Sequence, residues 1–371
     1  MKVPFVDLKR EANFCFDELQ HSFERVIRSG NYINGPSVKS LENSVSEYLG
    51  VEHCVSVGNG SDALVFILRA LDISDGDEVI CPGNSFIATS WAIRAVGAEP
   101  IFCDVGEDLL FSAESFYSKV NSKTKAFIPV HLTGRVADIH CIRQFCLNHS
   151  IHIIEDAAQS FGAFDPYGSF TGSLGTAGAF SLHPLKNLAV YGDGGLITTN
   201  NSELAAKCRL LRNHGLEDRD SASIWGYNSR LDELQASFAL VKLNHIEEWS
   251  SRYNEIAKFY DSCLCEEISK PIIRDKFRDV YHNYVVLVSS SIRNTLQKML
   301  NDEGVDTKIH YPIPLHKQKC FTNEYGDIFS LPKVELYACQ MISLPIYPFL
   351  EDAELQYICN TFNRLYSLVN Q

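Results

Sequence analysis

Gly178-Ala-Phe-Ser-Leu-His-Pro-Leu-Lys-Asn-Leu-Ala-Val-Tyr-Gly-Asp-Gly-Gly195 is the stretch on which the reading of this chain turns. Its apolar start predicts a strand over Gly178–Leu182, and a proline-bearing turn follows with a single lysine, Lys186. A Gly-Asp-Gly-Gly turn then opens the next strand, Gly195–Thr199. Most lysines are solvated charges. One held at the end of an apolar strand among small residues can be desolvated enough to offer a free amine to a carbonyl. Gly192–Gly195 reads equally as a hairpin turn, with Asp193 serving that turn.

Upstream lies Ile151-His-Ile-Ile-Glu-Asp-Ala-Ala-Gln159, an apolar strand ending in two carboxylates, Glu155 and Asp156. Ligands of open α/β sheets bind outside the carboxyl ends of strands, so an acid there is well placed, although an Asp capping the next turn fits the pattern as well. Gln159, three residues on, can face the same space. Further upstream, Val57-Gly-Asn-Gly-Ser-Asp-Ala-Leu64 is a Gly-rich turn from a strand into a helix. Such a turn can cradle a phosphate on free backbone N–H groups. It has neither the dinucleotide nor the Walker spacing, and an ordinary turn capped by Ser61 or Asp62 explains it too.

Between residues 50 and 200, short apolar runs alternate with helical patterns. Strands are predicted at His53–Val57, Glu78–Cys81, Pro100–Asp104, Lys125–Val130 and His152–Ile154 as well, with helices at Ser61–Leu71, Ser85–Val96, Asp138–Asn148 and Ser202–Arg212. Two longer helical stretches follow from Leu231 to about Cys265. The last third suggests a strand at Tyr284–Val288, a helix near Ile292–Glu303, a strand near Thr307–His310 and a closing helix from Asp352. Alternation with continuous strand hydrophobicity predicts an α/β fold with a mostly parallel central sheet flanked by helices, and a smaller C-terminal α+β domain. The expected division is a large α/β domain over 1–240, then a connecting helix and small domain over 241–371, with the N-terminal segment free to pack elsewhere.

The 371 residues carry 33 Lys+Arg against 46 Asp+Glu, a formal net charge of −13. No dense basic run offsets that balance, so a nucleic-acid partner is not expected. No apolar run of about 18 residues suggests a membrane span. The charged start, with Lys9, Arg10 and Glu11, does not read as a signal peptide, so a cytoplasmic protein is expected. Twelve scattered cysteines without a Cys-x-x-Cys read as buried reduced thiols. No histidine spacing suggests a metal site.

Taken together, the Gly-rich turn, the strand-end acid and a lysine 30 residues after it are the parts that hold pyridoxal 5′-phosphate: phosphate cradle, partner for the pyridine nitrogen, and Schiff-base amine. Phe86, in Pro82-Gly-Asn-Ser-Phe-Ile-Ala-Thr89, could stack on the ring or sit in the core.

With these segments in view the chain resembles the DegT/DnrJ/StrS family of sugar aminotransferases, fold-type I pyridoxal phosphate enzymes. The likeness runs from Val3-Pro-Phe-Val-Asp-Leu8 through Tyr32-Ile-Asn-Gly-Pro36, Glu155-Asp-Ala-Ala-Gln159, Ser181-Leu-His-Pro-Leu-Lys186 and Gly226-Tyr-Asn-Ser-Arg230 to His310-Tyr-Pro-Ile-Pro-Leu-His316. The resemblance implies that Lys186 binds the cofactor aldehyde, Asp156 pairs with the pyridinium nitrogen, Gln159 bonds the phenolic oxygen and Phe86 stacks. Gly60, Ser61 and Ser181 would hold the phosphate, with Asn228 reaching in from the partner of a homodimer. Tyr32, Asn34, Arg230, Tyr311 and His316 fall in segments that approach the sugar nucleotide.

Retention of Lys186, which dehydratase relatives replace with histidine, implies transamination from L-glutamate. The phrase Leu185-Lys-Asn-Leu188 with Gly192-Asp-Gly-Gly195 is more similar to enzymes acting on the 3-keto carbon of dTDP-linked 6-deoxyhexoses for O-antigen, S-layer or other glycans. C4 enzymes more often carry Gly-Glu-Gly-Gly. The alternatives are a 4-keto aminotransferase, a non-catalytic cofactor- or sugar-nucleotide-binding regulator, and, less well supported by the glycine spacing, a nicotinamide-dependent oxidoreductase.

Overall fold

A computed structural model describes residues 1–370. Seven strands, β1 (His53–Val57), β2 (Glu78–Pro82), β3 (Glu99–Cys103), β4 (Thr124–Phe127), β5 (His152–Asp156), β6 (Ala177–Ser181) and β7 (Gly195–Thr199), form one sheet in the order β1-β7-β6-β5-β4-β2-β3. β7 runs antiparallel to both its neighbours and every other pairing is parallel. Helices cover both faces, which is why strands such as β7 are buried along their full length. The helix Gly60–Ala70 carries Leu64, Phe66, Ile67 and Leu68 into this core, all at most 2% exposed.

The last third places a second apolar cluster around Tyr260, Tyr284, Val286, Leu296, Ile342, Leu344 and Phe362. The chain start belongs to it: Val3 is 1% exposed and exchanges backbone bonds with Gly304 and Asp306. Here β8 (Tyr284–Leu287) pairs antiparallel with β9 (Met341–Leu344). The strand expected near Thr307–His310 is reduced to one isolated bridge, Lys308 to Ser343, and β9 takes its place beside β8. β9 was unreadable because four residues, Met341-Ile-Ser-Leu344, follow directly on the helix Pro332–Gln340 without a turn signal.

Between Leu231 and Cys265 two helices form, Glu233–Leu243 and Ile246–Cys263. The N-terminal helices Leu8–Phe14, Phe16–Ser29 and Pro36–Leu49 were not read from sequence. The last of these starts with Pro36 at its first position and has Glu233 accepting from Val38 N at 3.1 Å and from Ser37 N, so a distant carboxylate satisfies its free amides.

Candidate active site

Strand carboxyl ends of the large sheet open onto a cavity of about 680 Å³. β1 leads into it through Asn59 and the helix Gly60–Ala70, β5 ends there on Asp156, β6 on Ser181, and the following turn brings Lys186. The sequence offered Ser61 or Asp62 as the cap of that helix. Asn59 caps it instead, accepting from Asp62 N at 2.8 Å, because the helix begins one residue earlier at Gly60. Ser61 is thereby left on the cavity wall.

A Cβ on Gly60 would lie 2.8 Å from Ser181 Cβ, and one on Gly195 would lie 2.4 Å from the Asn59 backbone. Only glycine at these two places lets the helix start seat itself against the ends of β6 and β7. Asp62 N and Ala63 N are taken by Asn59, and Gly60 and Ser61 at the helix start line the cavity together with Ser181, an arrangement suited to a phosphate.

Asp156 is 7% exposed. Thr89 Oγ1 donates to its Oδ2 at 2.7 Å and Ala158 N to its Oδ1 at 3.2 Å, so the carboxylate is held rather than free to rotate. Gln159 accepts from Thr133 N at 2.7 Å through Oε1, and its Nε2 reaches Tyr311 Oη at 3.3 Å. The amide therefore presents its donor side to the cavity. Lys186 lies half-buried on the cavity wall. Burial lowers it to about 8, against an opposing pull from the Asp156 carboxylate. Two further imidazoles line the space: burial, then the nearby Lys186, pushes His282 well below its usual value and His310 to about 4, so both are neutral.

Of the residues singled out from sequence, Gly60, Ser61, Phe86, Asp156, Gln159, Ser181, Lys186 and Tyr311 line the cavity. Phe86 is 53% exposed at its mouth, which answers the choice between cavity and core. The other five do not line it. Tyr32 and Asn34 are exposed ahead of the helix Pro36–Leu49, Asn228 is exposed, and Arg230 bonds Asn213 Oδ1 at 3.1 Å. His316 is 1% exposed behind the wall, with Nε2 3.0 Å from Glu335 Oε1 and its ring 6.2 Å from Phe102. Its place within one chain is thus structural packing, where a cavity position had been expected. Thr89, Trp91 and His282 went unnoticed in sequence. Thr89 stood in the quoted Phe86–Thr89 phrase, whereas nothing local marks His282.

A half-buried lysine, a fixed strand-end carboxylate, an amide donor and a glycine-shaped cradle around one cavity fit pyridoxal phosphate part by part. Fold and site define a pyridoxal phosphate-dependent aminotransferase. The comparisons are specific: the chain belongs to the DegT/DnrJ/EryC1/StrS aminotransferase family, which matches residues 16–363. It is 39% identical over 365 residues to the dTDP-3-amino-3,6-dideoxy-alpha-D-galactopyranose transaminase of Aneurinibacillus thermoaerophilus, covering 98% of this chain and 99% of the relative. It is 37% identical over 372 residues to the pleiotropic regulatory protein of Geobacillus stearothermophilus, covering 99% of each. Its fold superposes on the crystal structure of DesV from S. venezuelae with a TM-score of 0.94 at 36% identity, covering 98% of each chain.

Proposed function

We propose that this enzyme moves the amino group of L-glutamate to the 3-keto carbon of a dTDP-linked 3-keto-6-deoxyhexose, giving a dTDP-3-amino-3,6-dideoxyhexose. The observation that carries the reading is near-full-length similarity to a transaminase of that product class, in a chain whose cavity keeps Lys186. Bound pyridoxal phosphate supplies an aldehyde that condenses with amines and a ring that accepts the electrons released at the substrate carbon.

The chain supplies the rest. Gly60, Ser61 and Ser181 would hold the phosphate, Phe86 would cover the ring, and Gln159 would donate to its phenolic oxygen. Asp156 keeps the ring nitrogen protonated, which requires that carboxylate to stay ionised. Lys186 Nζ would hold the aldehyde and, once free, would serve as the base that takes the proton from glutamate's α-carbon and as the acid that delivers one to the sugar carbon in the second half of a ping-pong cycle. His310 and Tyr311, on the opposite wall, face the space left for the sugar.

We further propose a homodimer with shared sites. In support, Asn228 lies outside the cavity of its own chain, and beside it Trp225 is 99% exposed, with Ile224, Tyr227, Tyr32 and Ile33 exposed as well. We also propose a division at 240/241 into a large and a small unit, with Val3 joining the chain start to the apolar cluster of the small one. All twelve cysteines are free among the described residues, which suits a reducing cytoplasm. No helix among the described residues is long and apolar enough to cross a membrane.

A second reading, a regulator that binds cofactor or sugar nucleotide, takes support from the name of the Geobacillus relative. The assembled Lys186, Asp156 and Gln159 set favours catalysis, since binding alone needs no Schiff-base amine. Incubation with glutamate and either dTDP-3-keto- or dTDP-4-keto-6-deoxyhexose, with NMR of the product, tests the proposal. Amination at C3 supports it, a C4 amine transfers the activity to the 4-keto class, and failure to turn over either sugar while glutamate leaves the cofactor spectrum unchanged favours the regulator.

A further inference from the structure

Directly behind Asp156 sits a polar pair that the chemistry above does not use. His131 and Glu155 are both fully buried, with Nε2 2.9 Å from Oε2. Glu155 also accepts from Gly172 N at 2.7 Å, Leu174 N at 2.7 Å and Gly175 N at 2.8 Å. Every neighbour of this carboxyl is a donor, so it is held as the anion. Ala137 N donates to His131 Nδ1 at 2.9 Å. A backbone N–H can only donate, so Nδ1 is bare, Nε2 carries the proton and the imidazole is neutral. Every polar atom of the pair is satisfied, and the arrangement admits one tautomer.

The pair fastens the turn His131–Arg135 to the end of β5. His131 N donates to Asp156 O at 3.1 Å and Asp156 N to Pro129 O at 2.9 Å, so this segment grips the Asp156 backbone from both sides. The same turn holds Thr133 at φ 62°, a left-handed conformation that a β-branched residue adopts only under constraint, and this aims Thr133 N at Gln159 Oε1. Gly134 follows at φ 85°. A Cβ there would lie 2.6 Å from His282 N, and Val280 N donates to Gly134 O at 2.8 Å.

We propose that His131 and Glu155 are positioning residues: the buried pair locks the His131–Arg135 turn so that Asp156 and the donor side of Gln159 stand ready for the cofactor. The proposal rests on the cofactor roles given to those two residues above.

The test uses the full-length apoenzyme and pyridoxal 5′-phosphate as the probe. Three quantities are read for wild type, His131→Leu, Glu155→Gln and His131→Gln: cofactor affinity, the pH midpoint of the bound cofactor's visible absorbance band, and apoenzyme Tm. His131→Leu and Glu155→Gln are each expected to weaken cofactor affinity by roughly tenfold or more, the scale of a misplaced binding group. The band midpoint should move up by about half a unit as the N–H donor that favours an ionised phenol is withdrawn. His131→Gln keeps a donor toward Glu155 and should recover most of both effects.

A lower apoenzyme Tm with wild-type affinity and midpoint in either substituted protein overturns the proposal, and if one variant does not fold the other decides. A wild type that develops no visible band overturns the site assignment itself and the proposal with it. That outcome is separate from the first, because it shows in the unmutated protein.

Discussion

The cavity has two walls of different construction. On one, Gly60, Asp156, Ser181 and Lys186 stand at the ends of β1, β5 and β6 or in the turns leaving them, each inside a short contiguous phrase. On the other, His282, His310 and Tyr311 come from the last third of the chain and are tethered by contacts remote in sequence. Asn283 N donates to Thr133 O at 3.3 Å, and His310 Nδ1 lies 2.9 Å from Ser343 Oγ. The difference separates a wall given by local geometry from one assembled by tertiary contact, and it leads us to expect reaction chemistry on the first and choice of sugar on the second.

Removing Lys186 should produce the largest effect. Lys186→Ala is expected to lower turnover by at least about a thousandfold, as loss of a nucleophile does, and to abolish the visible band of the bound cofactor. Near-normal turnover would break the assignment of chemistry to the strand-end wall. Asp156→Asn keeps shape and removes charge. It should retain cofactor while losing roughly a hundredfold in kcat, on the scale of removing one electrostatic stabiliser, and full activity in steady-state assays would contradict its role.

Asn228→Ala sharpens the comparison by asking whether a third wall comes from a partner chain. About tenfold weaker cofactor binding is expected, the loss of a charge-assisted hydrogen bond to phosphate, and unchanged affinity in the same titration would argue against that contact. On the far wall, Tyr311→Phe deletes the hydroxyl that meets Gln159 Nε2. It should raise KM for the sugar by about fivefold, in the range of one hydrogen bond, with cofactor affinity little changed. A cofactor defect larger than the KM defect would erase the division between the walls.

A last test is one of pH. Lys186, lowered to about 8, offers more neutral amine as pH rises through that value and no more above it. Below it, each unit costs about tenfold in neutral amine, so the rate of reconstituting apoenzyme with cofactor should climb with unit slope and level off near pH 8. A flat profile from pH 6 to 9 would remove the desolvated amine from the account. The stability sign follows from the same shift. Between about 8 and the unfolded lysine's 10.5 the unfolded chain binds the extra proton, so apoenzyme stability rises with pH across that window, and the penalty is fully present below it.

The strand-end wall was legible because each of its groups sits within a few residues of a strand boundary, and the βα alternation brings those boundaries to one edge. Asp156, Gln159 and Lys186 became candidates on that basis, Ser181 through the family resemblance, and the large sheet followed from the same alternation. The cap of the Gly60–Ala70 helix was misplaced by two residues or more, since Asn59, Ser61 and Asp62 are all competent caps and only the backbone path selects one. β9, His282 and the packed position of His316 escaped because no local period or spacing marks them.

By itself, then, the order of apolar runs, glycines and three polar groups pointed to the fold class, the cofactor and Lys186 as the candidate reacting amine, because those depend on periodicity and on side chains fixed to strand ends. Tertiary structure alone decided that Glu155 is sealed behind the cavity with His131, which way the Gln159 amide points, and that His282 joins the wall while His316 packs away from it. Each of those outcomes depends on a hydrogen-bond partner brought from elsewhere in the chain, and pairing at such distances leaves no trace in local sequence.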